Sequence, residues 1–222
     1  MRIDKENINH LSCVLALVAM LPVAAAAQTA ERSRTEGLKE TDQFIKTGGT
    51  TAESVAVAKL EVQKTLTAYN ALVSQPSKNM KGDYKKLMKS MDSMNKKVAE
   101  ASQKIAAMQN ASDTYFQGRG ETLKNIQEQS LQTQAQQRMQ QSQQDFGGVL
   151  ASLRDAGDAL EPFRKQLADQ ITFLGSDLNP SATASLKPQA EKLNADGATV
   201  FAKADQAIAK ANGYFNGLKG QS

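Results

Sequence analysis

Three groups of side chains have types and spacings that could do chemistry. Asp155, Asp158 and Glu161 recur every three residues, an interval that stacks side chains on one face of a helix, and neighbouring carboxylates can divide acid and base roles. Arg154, Arg164 and Lys165 stand among them, so the group is expected to be a surface ion-pair network. Met88, Met91 and Met94 offer thioethers suited to copper(I), but methionine at that step is core filler first. Gly118-Arg119-Gly120-Glu121 lacks the third glycine and the preceding strand of a dinucleotide loop, and no Gly-x-x-x-x-Gly-Lys-Ser/Thr occurs in the chain.

The residues that most catalytic and metal sites require are confined to the start of the chain. The single histidine, His10, and the single cysteine, Cys13, fall within the first 27 residues. That segment has the form of an export signal: Arg2 and Lys5, an apolar run from Leu11 to Val23, then Ala24 to Ala27 before Gln28. Cleavage after Ala27 is expected, which places the product in the periplasm or outside the cell. Cys13 opens the apolar run instead of following it, so the product is not expected to be a lipoprotein. The remainder, from Gln28 on, has no His, Cys or Trp. It can form no disulfide, no Ser-His or Cys-His nucleophile and no His/Cys zinc or haem site. It also lacks the Glu-x-x-His motifs of a four-helix di-iron centre. We therefore expect a non-enzymatic protein with no cofactor and no small-molecule substrate.

The formal net charge is +4. Its densest basic stretch is Lys85, Lys86, Lys89, Lys96 and Lys97, bordered by Asp83, Asp92 and Glu100. A solvated helix face is the first expectation for such a run, contact with anionic lipid the second; nucleic acid is not expected as a partner of an exported chain.

The elements that carry these residues are helices. Tyr84, Leu87, Met91, Met94, Val98, Ala101, Ile105, Met108, Ser112 and Tyr115 alternate steps of 3 and 4 without a slip, the seam of a coiled-coil rod. An upstream helix shows the same step at Ala52, Val55, Val62, Leu66, Tyr69 and Val73, with Lys59 as the misfit. It is expected to start at a capping box, Thr50 to Glu53, after a Gly48-Gly49 break, and to stop at Pro76. Residues 28–50 are then a polar, loosely structured lead-in, and residues 51–222 a helical bundle. A third seam runs from Met139 through Ser142, Phe146, Leu153, Phe163 and Leu167 to Gln170 and Leu174. Pro162 lies inside it and should kink the helix without ending it. The Gln-rich stretch before it, holding Gln136 and Gln140, keeps a Leu131, Ala135, Met139 stripe and is expected to be helical, with a turn near Gly118. Asn179 suits an N-cap and Pro180 a first helical position, so a last helix should fold back from there. Its seam is Leu193, Gly197, Val200, Ala204, Ala207, Ala211, Tyr214 and Leu218. The predicted fold is all-α: an elongated antiparallel coiled-coil-like bundle of three or four long helices, with Gln170 and Ser142 as buried polar residues fixing its register.

Leu160-Glu161-Pro162-Phe163, then Leu167-Ala168-Asp169-Gln170-Ile171, then Leu178-Asn179-Pro180 resemble the signature of a bacterial envelope family, domain of unknown function 2959. That family carries a Glu-Pro in a long helix before a Leu-x-Asp-Gln step and a Leu-Asn turn. The chain departs from it at Gly175-Ser176, where the family has Lys-His, and in lacking tryptophan. The resemblance implies an envelope location and a helical architecture. From all of this the expected role is structural, scaffolding or interaction work in the envelope, through the lysines at 85, 86, 89, 96 and 97 or through Gln136 and Gln140, with another envelope protein or a second copy as partner. Peripheral binding to anionic membrane and holdase-like chaperoning are the alternatives.

Overall fold

Breakers and caps divide the chain into its elements. The computed structural model describes the backbone of residues 21–220 and the side chains of residues 37–220. Five helices follow in order: α1 Leu21–Ser74, α2 Met80–Lys124, α3 Gln129–Ser176, a six-residue α4 Pro180–Ser185, and α5 Lys187–Lys219. No strand occurs among the described residues, so the chain is all-α. The leader expected over residues 1–27 lies mainly outside the described residues.

Each turn has a local cause. Pro76 follows the end of α1 by two residues, where its ring and missing N–H prevent continuation. Asn79 caps α2, its Oδ1 accepting from the Gly82 amide at 3.1 Å. Glu128 caps α3, its carboxylate accepting from the amides of Ser130 (3.0 Å) and Leu131 (3.2 Å). Asn179 caps α4 as expected, accepting from the Ala182 amide at 2.9 Å, with Pro180 at the first helical position.

Four expectations are corrected. Gly48-Gly49 does not break the chain: α1 runs straight through it. A Cβ at Gly48 would sit 2.2 Å from the Phe215 ring, so this glycine lets α5 press against the α1 backbone. The stretch 28–50 is accordingly not a separate lead-in, since it is helical and contributes Phe44 and Ile45 to the core. The turn expected near Gly118 comes later, at Asn125, because nothing in the Gly118–Gly120 stretch stops a helix already held by Tyr115 and Leu123, both buried. The last helix does not run unbroken from Pro180. Leu186 separates α4 from α5, and Pro188 in the first turn of α5 cannot donate back to the carbonyl four residues earlier. Pro162 behaves as expected in one respect: α3 continues through it.

Contacts between helices fix their relative directions. Thr51 Oγ1 lies 3.0 Å from the Lys104 carbonyl and Thr65 Oγ1 lies 3.1 Å from the Ser90 carbonyl, so an advance from 51 to 65 along α1 matches a retreat from 104 to 90 along α2. Lys59 pairs with Asp205, and Asn70 with Asn194, which gives α5 the same opposed sense against α1. Tyr84 to Ile171 and Asn95 to Arg164 do so for α2 and α3. Gly197 against Phe163 and Tyr214 against Ser142 do so for α3 and α5. α1 and α3 run in one direction, with Phe44 against Phe146 and Tyr69 bonded to Gln170.

The heptad positions turn inward. Leu87, Met94, Ala101, Met108 and Tyr115, seven residues apart, are all buried, while the alternate Met91, Val98 and Ile105 are half-buried. The core has two parts. One, around Phe44, holds Tyr115, Phe146 and Phe215, with Phe116 and Tyr214 packed on it. The ring centroids of Phe44 lie 4.8 Å from Tyr115 and 5.0 Å from Phe215, spacings at which aromatic pairs add stability beyond their buried area. The other part holds Tyr69, Leu87, Phe163, Leu167, Leu174 and Leu193, at the end where α1 turns into α2 and α3 into α4.

Candidate functional site

The lysine and glutamine candidates stand apart. Lys85, Lys86, Lys89 and Lys96 are exposed and Lys97 is half-buried. Lys86 pairs with Asp83 at 3.1 Å and Lys97 with Glu100 at 2.7 Å. Lys85, Lys89 and Lys96 have no ion-pair partner among the described residues. Gln136 and Gln140 are exposed near the start of α3, level with the end of α2, where Gln132 Nε2 donates to the Leu123 carbonyl. At ~1.5 Å per residue, Lys89 and Leu123 are separated by roughly 50 Å along α2. The two sets belong to opposite ends and make no single site. Leu38 and Leu131 are 60% and 54% exposed at the glutamine end.

The methionines divide between surroundings. Met94 is fully buried, Met91 half-buried, and Met88 is 38% exposed, so they share no common cup. Asp155 and Asp158 are exposed, and Glu161 makes its ion pair with Arg164 at 3.2 Å. Among the described residues no group of three or more His, Cys, Asp or Glu could hold a metal ion.

Several carboxylates are tuned by neighbours. Hydrogen bonds from Lys64 and then Ser93 hold Glu61 below the usual carboxylate range. Ser77 and then Lys86 do the same for Asp83, and Lys97 for Glu100. These are caps and surface pairs, joining α1 to α2 in the case of Glu61 and Ser93 at 2.9 Å.

Sequence reasoning missed a cavity of about 190 Å³ at the waist, where the two parts of the core meet. Ala58, Ala101, Ala156 and Ala204, one from each long helix, line it, and their small side chains leave the space. Val55, Val62, Leu153 and Val200 form its apolar wall. The exposed residues in its lining are Ser102 on α2 with Gly157 and Glu161 on α3, so it opens between those two helices. Arg164 also lines it. Arg164 Nη2 donates to Asn95 Oδ1 at 2.9 Å and Nη1 to Glu161 at 3.2 Å, while Nε is buried with no hydrogen-bond acceptor. Ala101, Ala156 and Ala204 lay at seam positions in the sequence, whereas Ala58 stands beside the misfit Lys59 and is the buried residue at that step. That all four reach one level depends on the register between helices.

Fold and site together define an all-α protein with, among the described residues, four long helices and one short one, and a largely apolar waist cavity. The chain belongs to the family described as Protein of unknown function (DUF2959), which matches residues 29–218. The match takes in α1 as well as the stretch whose signature the sequence resembles. Neither the curated proteins nor the solved structures contain a match. No helix among the described residues is long and apolar enough to cross a membrane.

Proposed function

We propose that this is an exported, non-enzymatic protein of the cell envelope, working as a structural or scaffolding rod whose outer faces meet other proteins. The rod is an elongated antiparallel coiled-coil-like bundle. The observation that carries the reading is that the polar seam residues find partners inside the chain. Gln170 accepts from Tyr69, Ser142 and Tyr214 share a hydrogen bond at 2.9 Å, and Thr65 meets Ser90 at 2.9 Å. With the seams closed on one another, recognition falls to the outward faces, Lys85, Lys89 and Lys96 at one end and Gln136 and Gln140 at the other. Export is supported by the leader pattern and by a family match that begins at residue 29, just past the expected cleavage at Ala27. Photo-crosslinking residues placed separately at Lys89 and Gln136 in the exported protein test the reading. A recurrent envelope protein attached at either position supports it; only lipid adducts or none at both would overturn it.

A second reading has its own observation. The three lysines without ion-pair partners lie near one end of α2 with the exposed Asp92 among them, and a basic face attracts anionic lipid with about 1 kcal/mol per residue near the surface. Sedimentation with anionic and neutral vesicles over a salt series tests it. Binding that needs anionic lipid and weakens with salt supports this reading; equal recovery with neutral vesicles contradicts it. A holdase role finds less support, because Met94 and Met108, the adaptable side chains it would use, are fully buried.

A further inference from the structure

We propose that the waist cavity is a binding site for a single-chain amphiphile with a carboxylate head, its alkyl chain among the valines and its carboxylate on Arg164. Space and lining argue for the chain. An enclosed apolar cavity of ~150 Å³ holds benzene, so the 190 Å³ here, open at one side between α2 and α3, has room for a short alkyl chain. Its wall is Val55, Val62, Leu153 and Val200, with nothing to bond a polar tail.

Charge argues for the head. Two cations line the cavity. Lys59 is held by Asp205 at 2.5 Å, which leaves Arg164 as the cation for a bound anion. The one carboxylate on Arg164 is Glu161, a long single contact to a side chain 75% exposed; Nη2 donates to the neutral Asn95 at 2.9 Å, and Nε has no acceptor. A buried donor without an acceptor is costly. A carboxylate offers two oxygens at the spacing of the Nε–Nη2 edge, supplying the acceptor that Nε lacks and taking the place of the neutral Asn95 at Nη2. Glu161 holds Nη1, off that edge, so the group the ligand would displace as Arg164 turns towards the mouth is Asn95, while Glu161 opposes the ligand as a like charge at the rim.

The full chain titrated with sodium octanoate and with 1-octanol, followed by calorimetry and by thermal unfolding, tests the assignment. Octanoate is expected to bind one per chain and to raise Tm. Arg164→Met should weaken octanoate about tenfold while changing octanol by less than about twofold. Glu161→Gln should tighten octanoate several-fold by removing a like charge beside the bound carboxylate. Ala156→Leu, or Ala101→Leu from the facing helix, should abolish binding of both probes; each fills the same space, so either variant that folds is sufficient. Octanoate binding unchanged in a folded cavity-filled variant would overturn the proposal, as would equal responses of octanoate and octanol to Arg164→Met. Phosphatidylglycerol vesicles separate the sources of such a chain. Vesicle binding displaced by octanoate would assign the site to bilayer lipid and overturn a free carboxylate as its occupant.

Discussion

The hydroxyl of Tyr69 on α1 donates to Oε1 of Gln170 on α3, so the polar tip of a fully buried ring is answered from the helix that runs diagonally across and in the same direction. The same device recurs towards the other end, where Ser142 on α3 meets Tyr214 on α5 at 2.9 Å. Each pair joins helices far apart in sequence, and a slip of one turn would break it. A buried hydroxyl without a partner costs about 1–3 kcal/mol, which is the margin by which such pairs select one register.

Gln170→Leu should therefore destabilise the chain by about 1–3 kcal/mol, whereas Tyr69→Phe with Gln170→Leu should recover most of that loss, since no polar group is then stranded. Urea unfolding of the two single variants and the double variant measures the coupling. Additive losses would show that the pair does not act as one.

Burial pushes the hydroxyls of Tyr69 and Tyr214 up from 10.0 to about 12. The folded state holds these protons more tightly than the unfolded state, so the stability they supply is complete below the unfolded value and falls as pH rises from 10 towards 12. Tm measured across that window should drop, and should drop less in a Tyr69→Phe, Tyr214→Phe variant. Identical slopes would mean that neither ring is protected as described.

The adjacent glycines at 48 and 49 should respond in opposite directions. A methyl at Gly48 meets the Phe215 ring inside the aromatic cluster, and overpacking there costs about 1–3 kcal/mol. A methyl at Gly49 meets nothing within 4 Å, so Gly49→Ala should gain about 0.5–1 kcal/mol from helix propensity and reduced chain entropy. Thermal unfolding of the two variants checks both signs; a loss at Gly49 equal to that at Gly48 would point to a break in α1 after all.

Much of this fold was legible because burial has a period. The step from Leu87 through Met94, Ala101 and Met108 to Tyr115 could be read without knowing any partner, since a stripe of that kind must face inward whatever covers it. The polar residues Gln170 and Ser142 were legible as seam positions, but both are half-buried and not buried as expected, because each sits where a tyrosine hydroxyl meets it at the edge of the core. Gly48 was misread because its meaning lies in Phe215, at the far end of the chain. Gly118 was misread because helix propensity is a weak prior once Tyr115 and Leu123 anchor both sides. Pro188, which separates α4 from α5, was hidden by the stronger signal of Asn179-Pro180 just before it. Arg164 looked like one member of a surface charge network. Only the level at which α2 and α3 meet places it beside a cavity.

On the proposed reading the chain closes its four seams on itself, leaving recognition to its outer faces. Thr65 and Ser90 bring their hydroxyl oxygens to 2.9 Å across α1 and α2, so cysteines placed there face one another across that seam. The only native cysteine, Cys13, can be replaced beforehand. A Thr65→Cys, Ser90→Cys chain oxidised at increasing protein concentration and run on a non-reducing gel is the most direct measurement. A monomer cross-linked within itself at every concentration is the predicted result. Disulfide-linked dimers that grow with concentration, at the expense of that monomer, would contradict the account, because they would show the α1–α2 seam closing between two chains.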